Sequence, residues 1–173
     1  PWNVPFYLNV AETVPALMAG NTVILKPAQL TPWSGSEYGR IVAEETDIPA
    51  GVFNVVVSNA NEVGAALAGD PRVDMITFTG STATGRSILA AGASTVKKTL
   101  LELGGKSAQV VFPDADLNAA ANGVIAGVFA ATGQTCMAGS RLVVHEDVKD
   151  ALVERVVARA RTIKIGNPLD PET

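Results

Sequence analysis

The chain has little cysteine, histidine or aromatic content: one Cys, one His, two Trp, two Tyr and five Phe in 173 residues. A lone Cys136 excludes an internal disulfide and a multi-cysteine zinc site. With His145 as the only histidine, a His-rich metal site is excluded as well, and no metal is expected. Charge is also scarce. Charged residues make up 17% of the chain, against about 25% in an average globular protein. The 13 basic residues are scattered and the net charge is −4, so a phosphate-neutralising nucleic-acid surface is not expected. No apolar run is long enough to span a bilayer. The greasiest stretch, residues 117–131, carries Asn118 and Asn122. No basic patch followed by an apolar block suggests a secretory leader. These features fit a reducing, cytoplasmic setting.

What is present describes a folded α/β chain. Apolar residues are 47% of the total, which excludes intrinsic disorder. Sixteen glycines and ten prolines are spread along the chain, which excludes collagen-like and proline-rich types. The length suits one domain on a prior of about 150 residues per domain, and such a chain buries roughly 70% of its unfolded surface. The chain opens on Pro1-Trp2-Asn3 without an initiator Met and closes on a polar, proline-containing tail. It reads as an internal segment of something longer.

Short β-branched runs alternate with longer helical patterns. Strands are expected over residues 22–26, 52–57, 74–79, 97–103, 107–112 and 142–145. A helix is expected to begin with Thr31 as cap and Pro32 in its first turn, with Tyr38, Ile41 and Val42 on one face. Asn61 is expected to cap a short helix through Ala68. Another helix is expected from about Arg86 to Ala91, after a loop over residues 80–85. Asp114 is expected to cap an alanine-rich helix to about Thr132. Asp147 opens a last helix with Val148, Leu152, Val156 and Ala160 on one face. This alternation argues for a Rossmann-like parallel sheet covered on both faces. Ligands on such sheets bind beyond the carboxyl ends of the strands, where Lys26, Gly80 and Glu102 fall.

Several stretches carry chemically competent residues. Residues 80–87, GSTATGRS, nearly match the phosphate-cradling pattern G-x-x-x-x-G-K-[ST] but have Arg86 where the lysine belongs. A tight strand-to-helix turn without a ligand is the bland alternative. Cys136 lies in GQTCMAG. A lone cysteine is often a small buried hydrophobe, but the glycine flanks favour an accessible thiol, an intrinsically strong nucleophile. Glu102 ends an apolar run against Gly104-Gly105-Lys106; it is either an ion-pair partner of Lys98 or Lys106 or a base. Asn3 precedes Val4-Pro5, where the proline favours extended geometry at Val4 and gives the Asn3 amide a stiff mount. His145 reads as a strand-end residue without a catalytic part. Trp2, Trp33 and Phe129 read as packing more readily than as cofactor stacking.

Five of these stretches together resemble the NAD(P)-dependent aldehyde dehydrogenase family: PWNVP from Pro1, GNTVILKPA from Gly20, FTGST from Phe78, LELGGK from Leu101 and GQTC from Gly133. They stand in the family's order across the whole chain. The resemblance implies that residues 1–103 hold most of the NAD(P)-binding domain and residues 104–173 the first part of the catalytic domain. It implies Cys136 as the nucleophile toward an aldehyde carbonyl. Asn3 and the Cys136 backbone N–H would form the oxyanion hole, and Glu102 would activate the water that releases a carboxylic acid. Lys26 would hold a cofactor ribose, Gly80 and Ser81 would face the pyrophosphate, and Trp2, Leu103 and Gly104 would line the nicotinamide side. Many NAD-preferring members carry a glutamate where this chain has Gln29; a neutral amide does not repel a 2′-phosphate, so NADP is expected to be tolerated beside NAD. A small-molecule aldehyde is the implied substrate, and a homodimer or homotetramer the implied assembly of the full-length protein. An isolated segment is expected to turn over little. Two other readings compete: a P-loop-like nucleotide-binding domain built on residues 80–87, and a non-catalytic structural segment.

Overall fold

Apolar strands too short to bury themselves must pair, and in this chain they pair in parallel, two by two. The computed structural model describes residues 1–173. The elements are α1 (Pro5–Met18), β1 (Val23–Leu25), α2 (Pro32–Glu45), β2 (Phe53–Val55), α3 (Asn61–Gly69), β3 (Met75–Gly80), α4 (Thr82–Gly92), β4 (Lys98–Leu103), β5 (Ala108–Val111), α5 (Leu117–Phe129), β6 (Arg141–Val144) and α6 (Glu146–Ala160). Strand β1 pairs with β2, β3 with β4, and β5 with β6, every pair parallel. Parallel neighbours need a crossover connection, and α2, α4 and α5 supply it. The fold is therefore α/β, built from three β-α-β units with two-stranded ladders. The chain divides into two compact units, Pro1–Gly104 and Gly105–Thr173.

In the first unit the core gathers Leu25, Tyr38 and Val42, with Val10, Ile48, Phe53 and Val55 packed against them. The Tyr38 ring lies 4.9 Å from that of Phe53 and 6.3 Å from that of Phe6. Its hydroxyl meets Thr13 Oγ1 at 3.1 Å, which satisfies a polar group that burial would otherwise penalise. In the second unit Val111, Ala121 and Leu152 form the core, joined by Leu117, Leu142, Val144 and Val156. Each fully buried aliphatic side chain contributes about 1.5–3 kcal/mol.

The structure corrects the expected boundaries where local signals competed. Helix α1 is absent from the strand–helix pattern read from sequence. Pro15 lies inside it, and an interior proline normally argues against a helix because it removes a donor and crowds the preceding turn. Pro5 does more than stiffen Val4: it occupies the first helical turn, and Val4 (φ −141°, ψ 61°) is the cap residue. Thr31 precedes α2 as expected, but its side chain makes no cap bond; its Oγ1 is buried without a hydrogen-bond partner. Asn61 is inside α3, after the cap residue Ala60. The cap of α5 is Asp116 and not Asp114; its carboxylate accepts from the Asn118 and Ala119 N–H groups. His145 caps α6, its Nδ1 accepting from the Asp147 N–H at 3.4 Å.

The largest difference concerns residues 80–87. Helix α4 starts at Thr82, four residues earlier than expected, with Ser81 Oγ accepting from the Thr84 N–H at 3.2 Å. Residues 82–85 are helical, so the wide loop that a phosphate-wrapping P-loop requires is replaced by a turn at Gly80-Ser81. Coverage of the ladders also differs from expectation. Along β4, exposed and half-buried residues alternate: α4 covers Leu101 and Leu103 through contact with Gly85, while Lys98, Leu100 and Glu102 face outward. No helix is long and apolar enough to cross a membrane.

Candidate active site

In the first unit Lys26, Gly80 and Glu102 lie at the carboxyl ends of β1, β3 and β4 respectively. Lys26 follows β1 directly and is half-buried. Its Nζ donates to the Pro27 carbonyl at 3.3 Å, and its methylene stem runs 3.8 Å from where a Cβ on Gly64 of α3 would stand. Gln29 is exposed and donates to Asn61 Oδ1 at 2.9 Å. Lys26 and Gln29 thus lie against the first turns of α3. Gly80 closes β3, and a Cβ there would sit 2.5 Å from Phe78 Cζ, so the ring of Phe78 lies across this position. Ser81 is exposed at the start of α4. The Thr82 and Ala83 N–H groups lack intrahelical acceptors, as in any first turn, and offer positive potential to an anion.

The β3–β4 register sets Thr79 beside Glu102 and Gly80 beside Leu103. Side chains of paired residues point to the same face of a sheet, so Thr79 and Glu102 share one. Glu102 is exposed there, and Leu103 packs on Gly85. Gly104 follows as the last residue of the unit. Asn3 is half-buried and Trp2 is 49% exposed, both just ahead of α1. One residue that sequence reasoning missed belongs to this corner. Glu12 of α1 accepts a hydrogen bond from Thr79 Oγ1, which ties α1 to β3. The missed helix hid Glu12; the signal available was Pro5 at a helix start.

In the second unit the local chain around Cys136 is unusual. Helix α5 runs into a 3₁₀ turn, Ala130–Gly133, in which Ala131 (φ 50°), Thr132 (φ 57°) and Gly133 (φ 75°) are all left-handed. For Ala and Thr this conformation costs roughly 1–2 kcal/mol per residue. Such strain concentrates where a chain must present a functional group. The Gln134 N–H then donates to Ala131 O at 3.1 Å, and the Ala138 N–H donates to Thr135 O at 3.0 Å. Cys136 and Met137 are the two central residues of that second turn. Cys136 is half-buried and carries a free thiol, and Met137 is 74% exposed.

Lys26 supplies a cation, Gln29 an amide and the start of α4 free N–H groups, each just beyond the end of a strand or at the helix that follows one. No cluster of three His, Cys, Asp or Glu side chains suited to a metal ion occurs.

Comparison with known proteins agrees over the whole length. The family model described as "Aldehyde dehydrogenase family" matches residues 1–173. The chain is 46% identical over 173 residues to a hydroxyisobutyraldehyde dehydrogenase of Mycolicibacterium austroafricanum, covering 100% of this chain and 34% of that protein. It is similar in structure to PnpE from Pseudomonas sp. WBC-3 and to PnpE solved in complex with nicotinamide adenine dinucleotide: in both, TM-score 0.95, 46% identity, 100% of this chain and 35% of that one. An NADP-dependent enzyme of E. coli gives TM-score 0.95 at 41% identity, over 99% of this chain and 36% of that one. The chain thus spans about a third of the length of these relatives. The match of the family model from the first residue to the last places the chain in the aldehyde dehydrogenase family.

Proposed function

We propose that the chain carries the nucleophile, the base and part of the cofactor site of an enzyme that oxidises an aldehyde to a carboxylic acid with NAD or NADP. The observation that carries this reading is the strained left-handed turn, Ala131–Gly133, leading into the half-buried thiol of Cys136 in a chain of this family. In this reading residues 1–103 belong to the cofactor-binding domain and residues 104–173 to the catalytic domain.

The Cys136 thiolate forms a C–S bond with the aldehyde carbonyl carbon. The carbonyl electron pair moves to oxygen, and the Asn3 amide and the Cys136 N–H donate to that oxyanion. Donors of this kind, held in place beforehand, contribute about 2.7–4 kcal/mol to such a step. A bound nicotinamide would supply the acceptor for the hydride that leaves the substrate carbon as its C–H bond breaks and the oxyanion collapses back to a carbonyl. The acyl group is then held on Cys136 as a thioester. Glu102 takes a proton from water, whose oxygen attacks the thioester carbon; the C–S bond breaks, and the acid leaves with the thiolate restored. An exposed carboxylate at the end of β4 has the access to water that this task needs. A hydrolytic end point follows from that carboxylate, since acyl transfer to another acceptor needs no water-activating base.

Lys26 and Gln29 hold the cofactor ribose, Gly80 and Ser81 face its pyrophosphate at the start of α4, and Trp2, Leu103 and Gly104 flank the nicotinamide. Gln29 supplies no negative charge against a 2′-phosphate, which supports use of both dinucleotides. One relative is solved with NAD and another is described as NADP-dependent. The test is NAD(P)H formation by the intact protein over a panel of aldehydes. Cys136→Ala is expected to abolish it, and Glu102→Gln to leave one burst of NAD(P)H per site with slow steady turnover. Undiminished turnover in Cys136→Ala would remove the reading.

A further inference from the structure

We infer that Gln109 is a positioning residue for Cys136, its carboxamide locking the end of the turn that presents the thiol. This rests on the reading of Cys136 as nucleophile and deepens it. Gln109 is the second residue of β5, on the same face as the core residue Val111. Its Nε2 donates to the Gly139 carbonyl at 2.9 Å and to the Val124 carbonyl of α5 at 3.4 Å. One amide nitrogen has two hydrogens, and both find an acceptor: one in the cysteine loop and one in the helix that precedes it. The Gly139 N–H in turn donates to Gly127 O of α5 at 2.9 Å. Gly139 is therefore held by both its donor and its acceptor, three residues after the nucleophile.

The two glycines leave room for this amide. A Cβ on Gly127 would stand 3.0 Å from Gln109 Oε1, and a Cβ on Gly139 2.7 Å from Gln109 Cδ and Nε2. Either added methyl would compete with the glutamine for its place. The Thr135–Ala138 turn, which has Cys136 as its first central residue, runs directly into this pinned glycine. At its other end the turn follows the strained left-handed residues, which do not hold that geometry unaided. An anchor at Gly139 fixes the far end, and with it the direction of the Cys136 N–H and Sγ. Displacing reacting atoms by about 1 Å costs roughly a hundredfold in rate, so a loose anchor affects the chemistry more than it affects binding.

The test uses the intact protein. Gln109→Leu keeps the volume and removes the donor; Gln109→Asn keeps the amide but retracts it by one methylene, and serves if the leucine variant folds poorly. Gly139→Ala evicts the wild-type glutamine by an independent route. All three are expected to lower kcat by about tenfold or more with the cofactor KM unchanged, and to slow alkylation of Cys136 by iodoacetamide, followed on the peptide that contains it. Wild-type kcat and alkylation rate in a folded Gln109→Leu or Gln109→Asn, with Cys136→Ala inactive, would overturn this inference alone. Turnover surviving in Cys136→Ala would overturn the nucleophile reading and this inference with it. A fall in kcat matched by an equal rise in cofactor KM would mark Gln109 as a general structural residue and also overturn it.

Discussion

Replacing Leu152 by alanine tests whether the second unit holds the cysteine loop through its core. Leu152 of α6 is 0% exposed and packs among Val111, Ala121, Leu117, Leu142, Val144 and Val156. The substitution removes three carbon atoms, and at about 0.8 kcal/mol per buried methylene the transfer loss is about 2.4 kcal/mol. The cavity adds to that. Ala121 has no side chain long enough to fill it, and Val111 is fixed in a ladder with Val144. A total near 3–4 kcal/mol follows, within the range of about 2–5 kcal/mol for buried leucines. Native-state hydrogen exchange on the intact protein reads the effect locally. Amides of α5 and α6 should open with a free energy lower by about 3 kcal/mol, or exchange roughly 150-fold faster. Val153→Ala, at a position 43% exposed, is the control and should change exchange by less than about fivefold. Because α5 leads into the strained turn before Cys136, the same variant should lose activity at temperatures where wild type keeps it. Unchanged exchange in α5 and α6, or equal effects at Leu152 and Val153, would refute the packing argument.

Two other substitutions separate charge from geometry. Backbone N–H groups of Ala119 and Asn118 hold the Asp116 carboxyl below its usual pKa; the stabilisation it provides is complete above the unfolded value of about 3.9 and is lost as pH falls through the lower folded value. Asp116→Asn keeps the cap without the titration, so the difference in stability between wild type and variant should narrow or change sign below about pH 4, followed by circular dichroism; parallel acid curves would contradict the cap. Gln29→Glu places a carboxylate beside the Asn61 contact and should lower kcat/KM with NADP relative to NAD by about tenfold, or about 1.4 kcal/mol; an unchanged ratio would show that the ribose end of the cofactor lies elsewhere.

Elements with strong, unopposed local signals could be read directly. The apolar strands around Ile24, Thr77, Val110 and Val143, the proline-led start of α2 and the apolar face of α6 depend on short-range periodicity and fold as expected. Boundaries failed where two local signals competed. Asp114 and Asp116 are both good caps, and only the docking of Leu117 into the Val111–Leu152 core selects the second. Pro15 disfavours a helix that packing against α2 and β1 sustains. The glycines at 80 and 85 suggested a loop; Ser81 caps a helix between them, and Gly85 is small because Leu101 and Leu103 pack on it.

The amino-acid order alone determined the chemical inventory: one thiol at Cys136, a carboxylate at Glu102, an amide at Asn3, and the β-α-β rhythm that sets Lys26 and Gly80 at strand ends. Only the tertiary structure decided the contacts that hold them. The tie from Thr79 to Glu12 spans 67 residues, and the one from Gln109 to Gly139 spans 30. Neither leaves a periodic trace, because hydrogen bonds between residues far apart in sequence arise from how the ladders and helices pack. The left-handed turn before Cys136 is of the same kind: alanine and threonine do not favour it, and the surrounding bonds impose it.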